Sequence, residues 1–143
     1  MRSILITVLL SGMVLSIASS CATVPTEPLG PGELRLSSMD VVGSGPEVDT
    51  PFAVNVFFEA AGHPEIKRAC FFYESGMGRC FDESDVSYVI LGTKRALQVH
   101  LPGISVGSHW VQCYAEYIRN GETQKTNVIA TEISGYDGGH TLF

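Results

Sequence analysis

The feature that most constrains this chain is a pair of alternating runs joined by Asn120-Gly121. Residues 110–119 and 123–133 flank that dipeptide, which tolerates the positive φ angles of a two-residue turn, so the stretch 108–133 reads as a β-hairpin. In the first run Val111, Cys113, Ala115 and Tyr117 share one face, while Trp110, Gln112 and Tyr114 share the other. In the second, Val128, Ala130 and Glu132 oppose Asn127, Ile129, Thr131 and Ile133, leaving apolar surface on both faces. A hairpin alone is marginal in water and needs a second sheet to cover it. The expectation is the last two strands of a sandwich.

Upstream segments supply the other strands. Residues 52–59 place Phe52, Val54, Val56 and Phe58 on one face, and 66–74 is rich in aromatics. Residues 79–82, 86–91 and 95–101 follow, the last with Leu97, Val99 and Leu101 in alternation, and 33–37 with 39–42 reads as an edge strand. Gly, Pro and Asn punctuate the segments, and no stretch has the period of an amphipathic helix. Seven or eight short antiparallel strands in this spacing predict an all-β sandwich. Residues 134–143, with three glycines and no periodicity, read as a loose tail.

The order of these features resembles immunoglobulin-like and fibronectin type III-like domains over residues 33–135. Residues 52–59 match strand B, 66–74 strand C, 95–101 strand E, and the final hairpin strands F and G. The resemblance implies a fold and no function. It also makes C and F antiparallel neighbours, which makes Cys70–Cys113 the first candidate disulfide. Cys70–Cys80 and Cys80–Cys113 stay open, because a looser turn changes the register. Strand B carries no Cys, so the antibody-type bridge is not expected.

The first residues, MRSILITVLLSGMVLSIASSC, run from Arg2 through an apolar stretch to small residues before Cys21, the layout of a secretory leader. Ala18-Ser19-Ser20-Cys21 resembles the lipobox of bacterial lipoproteins, which implies cleavage after residue 20 and lipidation of Cys21. Ala22, standing where Asp would resemble an inner-membrane signal, implies the outer membrane if the host is Gram-negative. Residues 21–32 form a Pro-rich tether, with Pro25, Pro28 and Pro31. Proline favours an extended spacer, which at about 3.1 Å per residue would hold the domain roughly 30 Å from lipid. The domain would then span 33–135 and a flexible tail 136–143.

Setting aside Arg2 leaves eight basic residues against fifteen acidic ones, a balance of −7. Without a Lys/Arg cluster, that balance argues against nucleic acid as a partner. His63, His100, His109 and His140 are scattered and form no metal pair, although His100 and His109 fall towards one end of the sandwich. No C-x₂-C spacing supports zinc. The acidic cluster Asp82, Glu83 and Asp85 lacks the ligand-rich loop of a calcium site and reads as a solvated corner. Asp137-Gly138-Gly139-His140 reads as linker, and no nucleophile elbow accompanies any serine. No metal, cofactor or catalytic residue is therefore expected. The expectation is a non-enzymatic envelope lipoprotein, held to the membrane by lipid, with its domain in the periplasm or at the cell surface and an envelope protein as partner. A small-ligand or polysaccharide-binding domain is the alternative. The candidate binding face is Trp110, Gln112 and Tyr114, since aromatic anchors dominate interface energetics.

Overall fold

The computed structural model describes residues 24–43, 45–74 and 76–137. Among these residues nine strands follow one another: β1 (Leu34–Val41), β2 (Phe52–Ala60), β3 (Glu65–Tyr73), β4 (Gly78–Asp82), β5 (Ser87–Leu91), β6 (Lys94–Leu101), β7 (Gly107–Arg119), β8 (Glu122–Lys125) and β9 (Ile129–Gly135). A single 3₁₀ turn, Glu83–Asp85, separates β4 from β5. One sheet has the order β1-β2-β6-β5; the other runs β4-β3-β7-β8, with β9 also paired to β7. All strand pairs are antiparallel. This is the A-B-E-D against C-F-G arrangement of an immunoglobulin-like sandwich.

The core lies between the sheets. Leu34, Leu36, Val54, Val56, Leu97, Val99 and Leu101 come from the first; Ala69, Phe71, Val111, Cys113, Ala115, Tyr117, Ile129 and Ile133 come from the second. Burying each Val, Leu, Ile or Phe contributes roughly 1.5–3 kcal/mol. Phe71 meets Phe81 edge-on at 5.8 Å, closing the core towards β4. On β7 the alternation is as read from the sequence: Val111, Cys113, Ala115 and Tyr117 are buried.

Bulges keep the apolar faces in phase. In β1 the register slips between Leu36 and Ser38, so Leu34 and Leu36 share the inner face with Met39. In β3 a slip between Ile66 and Arg68 does the same for Ile66 and Ala69. Each extra residue restores a face that strict alternation would have lost.

The hairpin turns at Asn120 (φ 53°) and Gly121 (φ 76°), both left-handed, between the paired Arg119 and Glu122. Its returning run is two strands rather than the one expected. Glu116 pairs with Lys125 but Cys113 with Ile129, so β7 spends three steps where the return spends four. The extra residue shifts the phase, which explains why both faces of the run looked apolar. At this point Thr126 takes over the ladder, donating N–H to Ala115 O and accepting Ala115 N–H on Oγ1, each at 2.9 Å.

Both ends of the domain also depart from expectation. Residues 25–31 are not a free spacer. Arg35 Nη1 donates to the carbonyls of Pro25 and Glu27, and Arg119 Nε donates to Pro31 O at 3.0 Å. Gly30 N–H donates to Glu33 Oε2 at 2.6 Å, which holds the Glu33 carboxyl below its ordinary range, with Arg35 assisting. Two guanidinium groups thus recruit the proline-rich carbonyls that have no ladder partner. At the other end, Ser134 and Gly135 complete β9. Tyr136 N–H donates to Pro46 O, and Val48 N–H donates to Tyr136 O. Residues 134–136 therefore belong to the sandwich and not to a loose tail.

Candidate functional site

The outer face of the five-stranded sheet carries the candidate residues. Because Val111 and Cys113 turn inward, period-2 alternation sends Trp110, Gln112 and Tyr114 outward. Trp110 is 52% exposed and Gln112 is exposed, whereas Tyr114 is half-buried. Tyr114 stacks on Phe72 of β3, with centroids 5.7 Å apart and planes 13° off parallel. The Phe72 ring lies over Gly78, where a Cβ would collide with it. Lys125 Nζ also lies over the Tyr114 ring, 5.2 Å from its centroid. Trp110 stands opposite Glu132 and its backbone is fixed by Glu74 N–H donating to Trp110 O at 3.2 Å. The face is a packed platform with one large ring about half open to solvent. Towards the other end of the face Arg68 pairs with Asp82 at 3.8 Å and with Glu116 at 3.4 Å.

The disulfide differs from the first candidate. Cys70 bonds Cys80, and Cys113 is a buried free thiol. The β3–β7 register explains it: Cys113 lies opposite Phe71, so Cys70 points to the outer face and Cys113 into the core. Cys70 stands directly opposite Cys80 on β4. The turn is centred about two residues earlier than Gly76–Gly78, with Phe72 paired to Gly78 and Tyr73 N–H donating to Met77 O, which brings Cys80 level with Cys70. Burial pushes the Cys113 thiol far above its ordinary value.

At the end of the sandwich beside Trp110 is a cleft of about 650 Å³, lined among others by Tyr73, Met77, Arg79, Ile104, Ser105 and His109. Tyr73 Oη is buried there without a hydrogen-bond partner, and burial raises its pKa against the pull of Arg79. Ser105 Oγ lies 3.2 Å from His109 Nε2, and His109 Nδ1 lies 3.7 Å from Glu74 Oε1. The order serine–imidazole–carboxylate looks like a nucleophile relay. However, Nε2 is also 3.0 Å from the carbonyl of Ser105. A carbonyl only accepts, so Nε2 carries the hydrogen and is not the bare base such a relay needs. The contact ties the β6–β7 loop to the end of β3. Sequence reading missed it, because Glu74, Ser105 and His109 meet only through the β3–β7 pairing.

His100 sits on β6, in the other sheet from His109. Among the described residues no three His, Cys, Asp or Glu side chains are grouped to hold a metal ion. Glu83 and Asp85 are exposed on the 3₁₀ turn. Cys21 and His140 lie outside the described residues. Among those described, no helix is long and apolar enough to cross a membrane. Fold and face together define an immunoglobulin-like β-sandwich with an exposed aromatic platform. No family model matches the sequence, and a search of curated proteins finds no significant match.

Proposed function

We propose that this protein is a non-enzymatic lipoprotein of the bacterial cell envelope. It is tethered through lipid on Cys21 and uses its sandwich to bind an envelope protein. The observation that carries the reading is the exposure of Trp110 on a sheet otherwise pinned by the Cys70–Cys80 bridge and the Phe72–Tyr114 stack. A large ring on a preorganised surface loses little side-chain entropy on binding and is the commonest kind of hot spot. Exposed Gln112, two residues along on the same face, gives the ring a polar neighbour of the kind found at the rim of protein-binding patches. What supports the location is the N-terminal sequence: its apolar run ends in Ala18-Ser19-Ser20-Cys21, and several acyl chains, at about 0.8 kcal/mol per buried CH₂, would hold a protein at a bilayer.

The test uses the full chain expressed in a bacterial host. Cys21→Ser should abolish acyl labelling and release the domain to the soluble fraction. Cross-linking in intact cells should yield an adduct with another envelope protein that Trp110→Ala loses. Membrane retention of the Cys21→Ser protein would overturn the anchor. An adduct indifferent to Trp110 would overturn the binding face. Retention on immobilised polysaccharide, lost in Trp110→Ala, would favour the sugar-binding alternative.

A further inference from the structure

β5 ends the four-stranded sheet, and it is built unlike the other sheet margins. Its sequence, Ser-Tyr-Val-Ile-Leu, has no charge, proline or glycine. Tyr88 is 49%, Ile90 66% and Leu91 45% exposed, so apolar side chains stand open on both faces of the strand. Sheet edges are normally blunted by charge, proline or a covering segment. β1 is covered by Asn127 and by residues 25–31, and β4 carries Arg79, Asp82 and the disulfide. β5 has none of these.

The edge also has a defined polarity. β5 joins β6 through Gly92-Thr93, with Gly92 at φ 64° and Leu91 paired to Lys94. The residues flanking a two-residue hairpin turn form a hydrogen-bonded pair, and such pairs alternate with open ones. The backbone N–H and C=O of Tyr88 and Ile90 therefore point away from β6. Before the strand lie Asp82, Glu83 and Asp85, all exposed; after it lies exposed Lys94. One end of the edge is acidic and the other basic.

We propose that β5 docks a second copy of this chain, strand against strand and antiparallel, about a two-fold axis at Val89. Tyr88 then faces Ile90 of the second copy, and the symmetry repeats the pair, so four backbone hydrogen bonds form. The antiparallel sense sets the acidic turn of each copy beside Lys94 of the other, whereas a parallel pairing would set acid against acid. The two four-stranded sheets become one. Five residues a side bury less than a standard interface, so the dimer is weak in dilute solution and is favoured where copies are confined. The pairing needs only β5 and stands apart from any role of Trp110 or Cys21.

The experiment is oxidative cross-linking of the full chain carrying Val89→Cys or Ser87→Cys, read on a non-reducing gel. Val89 is half-buried, so the smaller thiol fits. In the proposed register the two Val89 positions form an open pair with Cα atoms about 4.5 Å apart, within disulfide reach. The two Ser87 positions are four residues out of step, roughly 14 Å apart. Val89→Cys should give a covalent dimer and Ser87→Cys should not. Adding Lys94→Glu to Val89→Cys should lower the dimer about two- to tenfold, the scale of two exposed ion pairs, and adding Asp85→Lys should restore it. Equal linking by both cysteines, no dimer from Val89→Cys, indifference to Lys94→Glu, or a Val89→Cys adduct only with another protein would each overturn the proposal.

Discussion

The side-chain amide of Asn127 takes the place of a neighbouring strand for Leu36. Its Oδ1 accepts the Leu36 N–H and its Nδ2 donates to the Leu36 carbonyl, both at 2.9 Å and 91 residues apart in sequence. This stitches the edge of one sheet to the break between β8 and β9 in the other. The extra residue between Lys125 and Ile129 sets Asn127 at this break.

Removing the amide leaves two backbone groups of Leu36 unpaired in a half-buried place. Asn127→Ala is expected to cost about 1–3 kcal/mol in urea unfolding. Asn127→Asp should cost more at neutral pH, because a carboxylate cannot donate to the Leu36 carbonyl.

The two faces of β7 should respond oppositely. Val111 is fully buried, so Val111→Asp places an unpaired charge in the core and should cost more than about 4 kcal/mol. Trp110→Ala should change stability by less than about 1 kcal/mol, since half the ring already faces water. Thermal melts of the two variants check the assignment, and a reversed order would mean the register is off by one residue.

The cysteines give a mapping experiment and a pH experiment. A non-reduced digest should link the peptides of Cys70 and Cys80, and Cys113 should resist alkylation until the protein is unfolded. Loss of the bridge should cost about 2–4 kcal/mol for a loop this short. Burial disfavours the folded-state thiolate of Cys113 and raises its pKa, so the folded state keeps a proton that the unfolded chain releases. Stability should be level with respect to this thiol below about pH 8.5 and fall above it, by up to about 1.4 kcal/mol per pH unit. Cys113→Ala should remove that slope.

The docked N-terminal segment should come loose without unfolding the sandwich. Arg119→Ala removes the donor to Pro31 O, and hydrogen exchange of residues 26–33 should then quicken while β2 and β6 are unchanged. Glu33 is held below its ordinary range by the Gly30 N–H. Its contribution is therefore present at neutral pH and lost as pH falls through and below the usual glutamate value of about 4.3, which should loosen the same segment.

Short-range signals were legible in the chain itself. Asn120-Gly121 marked the turn, and alternation assigned Val111 and Trp110 to opposite faces, because side-chain direction in a strand follows from period 2 alone. The segment spacing pointed to a sandwich for the same reason. What tertiary structure decided was every matter of register between segments distant in sequence. Cys70 pairs with Cys80 rather than Cys113 because Phe71, not Cys70, stands opposite Cys113. One extra residue split the final run into β8 and β9, and nothing local in residues 123–133 marks where a bulge must fall. The proline-rich stretch read as a spacer because proline limits φ. It docks because Arg35 and Arg119, which the fold brings to it, supply donors its carbonyls lacked. Glu74, Ser105 and His109 form a cluster only once β3 lies beside β7. Local sequence determines which way a side chain points, and long-range pairing determines what it meets.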